Sequence, residues 1–302
     1  MTRVSRVIAA MALLFASAAH GAAARFVVGG GGLPIAMEEW GNPAGPAVVL
    51  IHGAGFSKEY WALQEADVEL AKRFHFVSFD LRGHGASGKP WHEAEYTDTA
   101  LWADDLAAVI TAAKFDRPTI IAWSMGGYAA VDYVRKYGTG SLAGLMMVST
   151  TGGLIPAKKV VRTDPAYGQA NTDLMSGDLD RFAAGGAALV PFMSGTTLSP
   201  ATRAAWSRQQ FSWPVYSRRA MRGFRIDNAD MVGKLPLPVE FVIGGKDAAM
   251  PVAGLKSLAA RLPHGRVIAF ADAGHTVSAD TPVAFDAALS RFVVDVQSPA
   301  QP

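Results

Sequence analysis

The sequence predicts an α/β fold: a mostly parallel twisted sheet with helices on both faces, plus an inserted helical cap. Three observations carry that expectation. From Ile35 onward, short β-rich runs alternate with amphipathic helical stretches. Ala47–Ile51 is a continuous apolar run, as in a strand buried on both faces, and the other runs repeat the idea. One long stretch, Gly152 to about Leu235, breaks the alternation with helix-like pieces rich in aromatic residues and methionine. An excursion of that length is too long for a plain loop and reads as a helical subdomain set into the core.

Composition narrows the chemistry. The chain has 302 residues, 50% hydrophobic and 18% charged, which excludes a disordered tail. Lys and Arg number 28 against 26 Asp and Glu, with no basic run to track phosphates, so nucleic acid is not an expected partner. There is no cysteine, which removes disulfides, thiolate metal sites and a cysteine nucleophile.

The elements follow in order. Met1–Ala24 has a basic start, an apolar stretch over Val7–Ala19 and a small-residue exit, and reads as a signal peptide directing export. Its apolar run is shorter than the ~20 residues needed to span a bilayer, so no stable membrane anchor is expected. Residues 25–151 and 236–302 form the expected core, and 152–235 the cap. Strands are expected at Ala47–Ile51, His75–Phe79, Thr119–Trp123, Leu145–Val148, Val239–Ile243 and Val267–Phe270. Trp102, Leu106, Val109, Ile110 and Ala113 form one helical stripe; Phe285, Leu289, Phe292, Val293 and Val296 form another, started by Thr281-Pro282.

The most informative stretch is Ile120–Tyr128. A buried strand ends at Ser124 and a helix pattern begins at once, running to Gly138. Such an abrupt turn forces the serine into a strained conformation and needs small neighbours two positions either side, which Ala122 and Gly126 supply. Alone, the pattern also suits a serine that merely caps a helix.

These residues resemble the α/β-hydrolase superfamily, in particular the capped, single-domain esterase branch that also holds cofactor-free haloperoxidase-like enzymes. The resemblance covers roughly Ile35 to Val296, with Ala122 where the Gly-x-Ser-x-Gly pattern has its first glycine. It implies Ser124 as nucleophile, then an acid and a histidine downstream in that order. Gly244-Gly245-Lys246-Asp247 follows the fifth expected strand and Asp272-Ala273-Gly274-His275 the sixth, so the resemblance assigns Asp247 and His275. Asp272, nearer to His275 in sequence, is the rival acid. After the strand near Leu145 stand only Ser149, Thr150 and Thr151, which offer no carboxylate. Of seven histidines, only His275 both follows the acid and ends a core strand.

By the same resemblance, His52-Gly53-Ala54-Gly55-Phe56 supplies an oxyanion hole from the backbone amides of Ala54 and Met125. Phe56 and Trp123 are read as substrate-binding apolar surface near the mouth. Asp80, Arg82 and His84 read as structural, and Asp104 and Asp105 as a solvated or turn-tethering pair. Neither cofactor nor metal is implied. The expected reaction is hydrolysis of small or medium apolar carboxylic esters through an acyl-enzyme. Carbon–carbon bond hydrolysis, perhydrolysis or lyase chemistry on the same triad, and ligand binding without catalysis, are the alternatives.

Overall fold

A computed structural model describes residues 23–155, 164–224, 227–247 and 252–298. Among them, eight strands form one sheet: β1 (Ala23–Val28), β2 (Pro34–Gly41), β3 (Ala47–Ile51), β4 (His75–Phe79), β5 (Thr119–Trp123), β6 (Gly144–Val148), β7 (Val239–Gly244) and β8 (Gly265–Phe270). Their order is β1-β2-β4-β3-β5-β6-β7-β8. β3 to β8 run parallel, and β1 and β2 are antiparallel additions at one edge.

The six expected strands are all present: β3 and β6 are unbroken apolar runs, β4, β5 and β7 bury Ser78, Thr119 and Glu240 among apolar residues, and β8 is partly exposed at the far edge. Val49, Ile51, Ile120, Ala122, Leu145, Met147, Phe241 and Ile243 face helices Thr99–Ala112, Gly126–Tyr137 and Val252–Ala259. Val48, Leu50, Ile121, Trp123, Met146, Val148 and Val242 face the opposite layer, where helix Pro282–Gln297 contributes Phe285, Leu289, Phe292 and Val293. Each fully buried side chain of this kind contributes about 1.5–3 kcal/mol of transfer free energy.

β1 and β2 go unanticipated. Glu38 and Glu39 interrupt the apolar pattern of β2, and on β1 Phe26 and Val28 lie exposed at the sheet edge. β1 also begins inside the segment assigned to the leader, since Ala23 and Ala24 pair with Glu39 and Glu38. The rest of the segment read as a signal peptide, residues 1–22, lies outside the described residues. No helix among the described residues is long and apolar enough to cross a membrane.

Between β6 and β7 the described residues form helices and no strand: Pro165–Asp173, Leu179–Leu189, Pro200–Gln209 and Val215–Ala220 are the main ones. Asp164, Asp178 and Ser199 each cap a helix by accepting a first-turn amide, and Pro165 and Pro200 occupy first-turn positions.

Sheet order fixes where chemistry can occur. The chain passes from β3 to β4 on one side and returns to β5 on the other, so the winding reverses at β3. Loops leaving β3 and β5 therefore diverge around a crevice at the strands' carboxyl ends. A buried knot braces the neighbouring loop after β4. Arg82 donates to both carboxylate oxygens of Asp105, at 2.7 and 2.8 Å, and Asp105 also accepts from the Gly30 amide. Asp80 accepts from the Lys58 and Ala86 amides, while Asp104 pairs at the surface with Lys136 and Tyr137. These residues are structural, as their positions in the sequence suggest.

Candidate active site

Ser124 stands at the bend between β5 and helix Gly126–Tyr137, with φ of +51°. A non-glycine residue held there stores about 1–3 kcal/mol of strain, which the flanking structure must impose. It does so from both sides: the Ser124 amide donates to the Val148 carbonyl at 2.9 Å, and the Ser124 carbonyl accepts from Gly127 at 3.1 Å. The bend needs the small residues around it. A Cβ on Gly126 would lie 2.8 Å from the His52 carbonyl oxygen, and one on Gly53 would lie 2.8 Å from Ser124 Cβ.

Asp247 and His275 arrive from the loops after β7 and β8. His275 Nε2 lies 2.9 Å from Ser124 Oγ, and His275 Nδ1 lies 2.9 Å from Asp247 Oδ2. An ionised carboxylate can only accept, so Nδ1 carries the ring proton and Nε2 presents a lone pair to the serine hydroxyl. The Asp247 side chain is wholly buried against the ring. Asp272 instead points outward, 83% exposed, and pairs with Lys246 at 3.2 Å. Burial, which the sequence does not display, separates the two candidate acids.

The loop after β3 is tied down by His52. This buried ring donates from Nδ1 to the Gly53 carbonyl and accepts the Leu81 amide at Nε2. Both nitrogens are used, and burial holds its pKa below the ordinary histidine value. It therefore acts as a neutral brace. Among the described residues, the Ala54 and Met125 amides donate to no protein acceptor, as an oxyanion site requires.

Phe56 and Trp123 offer no exposed apolar surface to a substrate, although the Trp123 ring lies 5.6 Å from that of His275. Both are fully buried, with ring centroids 5.0 Å apart, and Phe56 also meets Trp206 of the helical segment. Buried in this way, the two rings support the residues around the site. Trp123 Nε1 donates to the His275 carbonyl at 2.8 Å, and its ring stacks on Tyr60 at 3.8 Å. Behind Tyr60 runs a buried polar network that no local sequence signal marks. The Ser278 hydroxyl donates to the Tyr60 hydroxyl oxygen, and Gln64 Nε2 donates to the Ser278 carbonyl and to Asp286 at 2.9 Å. Burial pushes the Asp286 carboxyl up to about 6.

Of the eight aromatic residues in the described helical segment, Phe182, Trp206, Trp213 and Phe224 are buried, and the last three reach the core: Trp206 meets Phe56, Trp213 stacks on His84 and Phe224 packs against Trp102. Arg218 is buried between the Phe182 and Trp213 rings and donates to the Trp213 and Gln210 carbonyls. Burial pushes its guanidinium down to about 9. A cavity of about 430 Å³ opens at the seam between this segment and the core, bounded by Ser57, Lys58, Asp80, Arg208, Gln209 and Ser212. Ser124 is not part of its wall. Among the described residues, no group of three or more His, Cys, Asp or Glu is placed to hold a metal ion.

The fold and this site define a class: a doubly covered parallel sheet presenting a serine on a tight strand-to-helix bend, within hydrogen-bond reach of a histidine. The signature of the alpha/beta hydrolase family matches residues 48–288, and the chain belongs to that family. A crystal structure from Burkholderia cenocepacia, provisionally assigned as an aryl esterase, is similar at 28% identity with TM-score 0.85, over 92% of this chain and 100% of that one. Esterase RhEst1 from Rhodococcus sp. ECU1013 follows at 26% identity and TM-score 0.79, over 90% and 99% of the two chains. A pimeloyl-[acyl-carrier protein] methyl ester esterase from Aromatoleum aromaticum is 28% identical over 240 residues, which are 76% of this chain and 91% of that protein.

Proposed function

We propose that the protein is a serine esterase that cleaves small or medium, fairly apolar carboxylic esters through an acyl-enzyme. The observation that carries this reading is the continuous hydrogen-bonded chain from Asp247 through His275 to Ser124, 2.9 Å at each link. The esterase names borne by its relatives support it.

In the proposed reaction, Ser124 Oγ attacks the ester carbonyl carbon while its proton passes to His275 Nε2. The carbonyl electron pair moves onto oxygen, where the Ala54 and Met125 amides and the amino end of helix Gly126–Tyr137 face the new charge. Collapse re-forms the carbonyl, breaks the bond to the alcohol oxygen and returns the proton from His275 to the leaving alcohol. A water then repeats the cycle on the acyl-serine: His275 takes its proton, and the carboxylic acid leaves as the serine hydroxyl re-forms. Asp247 stays ionised and holds the imidazole in its productive tautomer.

The test is turnover of p-nitrophenyl acetate by wild type and Ser124→Ala, with a panel of longer acyl chains and fluorophosphonate labelling alongside. Loss of turnover and labelling in the variant is expected; equal rates would remove Ser124 from the mechanism. We also propose export through the N-terminal segment. Fractionation of the producing cell checks this, a purely cytoplasmic location being the outcome against it.

A further inference from the structure

The connection between helices Leu179–Leu189 and Pro200–Gln209 is bonded directly to the loop that carries His275. The Met193 carbonyl accepts both the amide and the hydroxyl of Thr276, at 2.9 and 3.0 Å. Asp280, at the end of the short helix Val277–Asp280, bends its carboxylate back over the same loop. Its Oδ2 accepts the Gly274 amide at 2.7 Å and, from the helical segment, the Gly195 amide at 2.8 Å. Its Oδ1 accepts the Ser194 hydroxyl at 2.5 Å and the Thr196 hydroxyl at 3.3 Å. The backbones touch with no side chain between them. A Cβ on Gly195 would stand 2.4 Å from the Asp272 carbonyl oxygen and the Gly274 nitrogen, and one on Gly274 would stand 2.4 Å from the Gly195 nitrogen.

We propose that Asp280 is a positioning residue for His275, clamping the histidine loop to residues 193–196 so that catalytic base and helical segment move as one body at this point. Hydrogen bonds to an ionised acceptor are roughly twice as strong as neutral ones, and one carboxylate here spends them on both partners. The Gly274 amide belongs to the residue just before His275, so the bond constrains the backbone from which the imidazole projects. The far side of the ring loop is held by Trp123 through the His275 carbonyl. Without Asp280 the loop keeps that side, the Thr276 contacts and the Lys246 amide on the Ala273 carbonyl, but loses the carboxylate that joins the Gly274 and Gly195 amides. Any opening of the helical segment must then occur away from residues 193–196.

This inference rests on the esterase reading only for its kinetic readout. The experiment compares Asp280→Ala, Asp280→Asn and wild type by p-nitrophenyl acetate kinetics and by amide hydrogen exchange. Asp280→Ala is expected to lower kcat by about 10- to 100-fold with KM within about twofold, as a misplaced catalytic group does. Exchange should accelerate together at 193–196 and 272–276. Asp280→Asn, which keeps a side-chain oxygen for the Gly274 amide, should recover kcat to within about threefold of wild type. A folded Asp280→Ala protein with wild-type kcat, or one in which a single segment loosens, overturns the clamp. If Asp280→Ala does not fold, Gly195→Ala decides, because its methyl is driven into the histidine loop while Asp280 remains. A fall in kcat at constant KM then supports the coupling, and unchanged kcat overturns it. Wild type that hydrolyses no ester sinks the esterase reading alone, since the exchange comparison still decides the clamp.

Discussion

The carboxyl ends of the strands and the helical segment above them are built on different principles. At the strand ends, position is set by the sheet. Ser124, Asp247 and His275 follow β5, β7 and β8, whose backbones are locked in a shared parallel ladder. In the helical segment, three of the four main helices start from their own cap residue, and the segment is held by aromatic side chains and the buried Arg218. The first arrangement suits atoms that must stay within a few tenths of an ångström. The second allows side chains to be exchanged without disturbing the chemistry. Changes at the strand ends should therefore alter kcat, and changes in the segment away from its 193–196 contact with the histidine loop should alter substrate range and stability.

The strongest attempt to break this contrast is Ser124→Ala, expected to reduce ester turnover by about 10⁴- to 10⁶-fold with an unchanged circular-dichroism spectrum. Next comes Asp247→Asn. An amide can donate to Nδ1 and so favours the wrong histidine tautomer, which should lower kcat about 10³- to 10⁴-fold in steady-state assays. Trp123→Phe probes the support behind the site. It strands the His275 carbonyl without its donor and should cost about 1–3 kcal/mol in denaturant unfolding, with a smaller loss of kcat. In the helical segment, Arg218→Lys gives up the planar fork between two rings. It is expected to cost about 1–2 kcal/mol of stability while leaving kcat for p-nitrophenyl acetate within twofold, about the scatter of such assays. A large fall in kcat there would erase the distinction between the two regions.

The smallest effect concerns pH. The Asp286 carboxyl titrates near 6 in the folded protein, above its ordinary value of 3.8. The fold therefore binds this proton more tightly than the unfolded chain does. Its contribution to stability is complete below the lower value and is lost as pH rises through the upper one. The difference in melting temperature between wild type and Asp286→Asn should thus change in that window and nowhere above it. A difference constant with pH would show that Asp286 does not titrate there.

Much of this was legible in the sequence, for identifiable reasons. Strands buried on both faces are dominated by apolar residues, so the parallel strands announced themselves as mostly apolar runs despite Ser78, Thr119 and Glu240. β8 is partly exposed at its edge yet keeps enough of the pattern to be read. β2 carries Glu38 and Glu39 and so hid. Ser124 and His275 were readable because each sits at a strand end beside small residues. Choosing Asp247 over Asp272 turns on burial, which adjacent letters do not encode. Phe56 and Trp123 show the converse failure: an aromatic residue near a site is spelled the same whether it faces the substrate or braces the floor. Asp280 acts through contacts with a segment about 85 residues earlier in the chain, and no local pattern signals that.

The helical segment also separates the reacting groups in time. Ser124 leaves the ribosome with the amino-terminal half, whereas Asp247 and His275 lie in the loops that follow β7 and β8, the last strands synthesised. On the proposed mechanism, a nascent or truncated chain carries an alcohol with no base to activate it, and ester turnover should appear only when the final two strands dock. Two fragments divided within the segment, each inert, should regain turnover only by reassembling, which would make the molecule a reporter of its own completion.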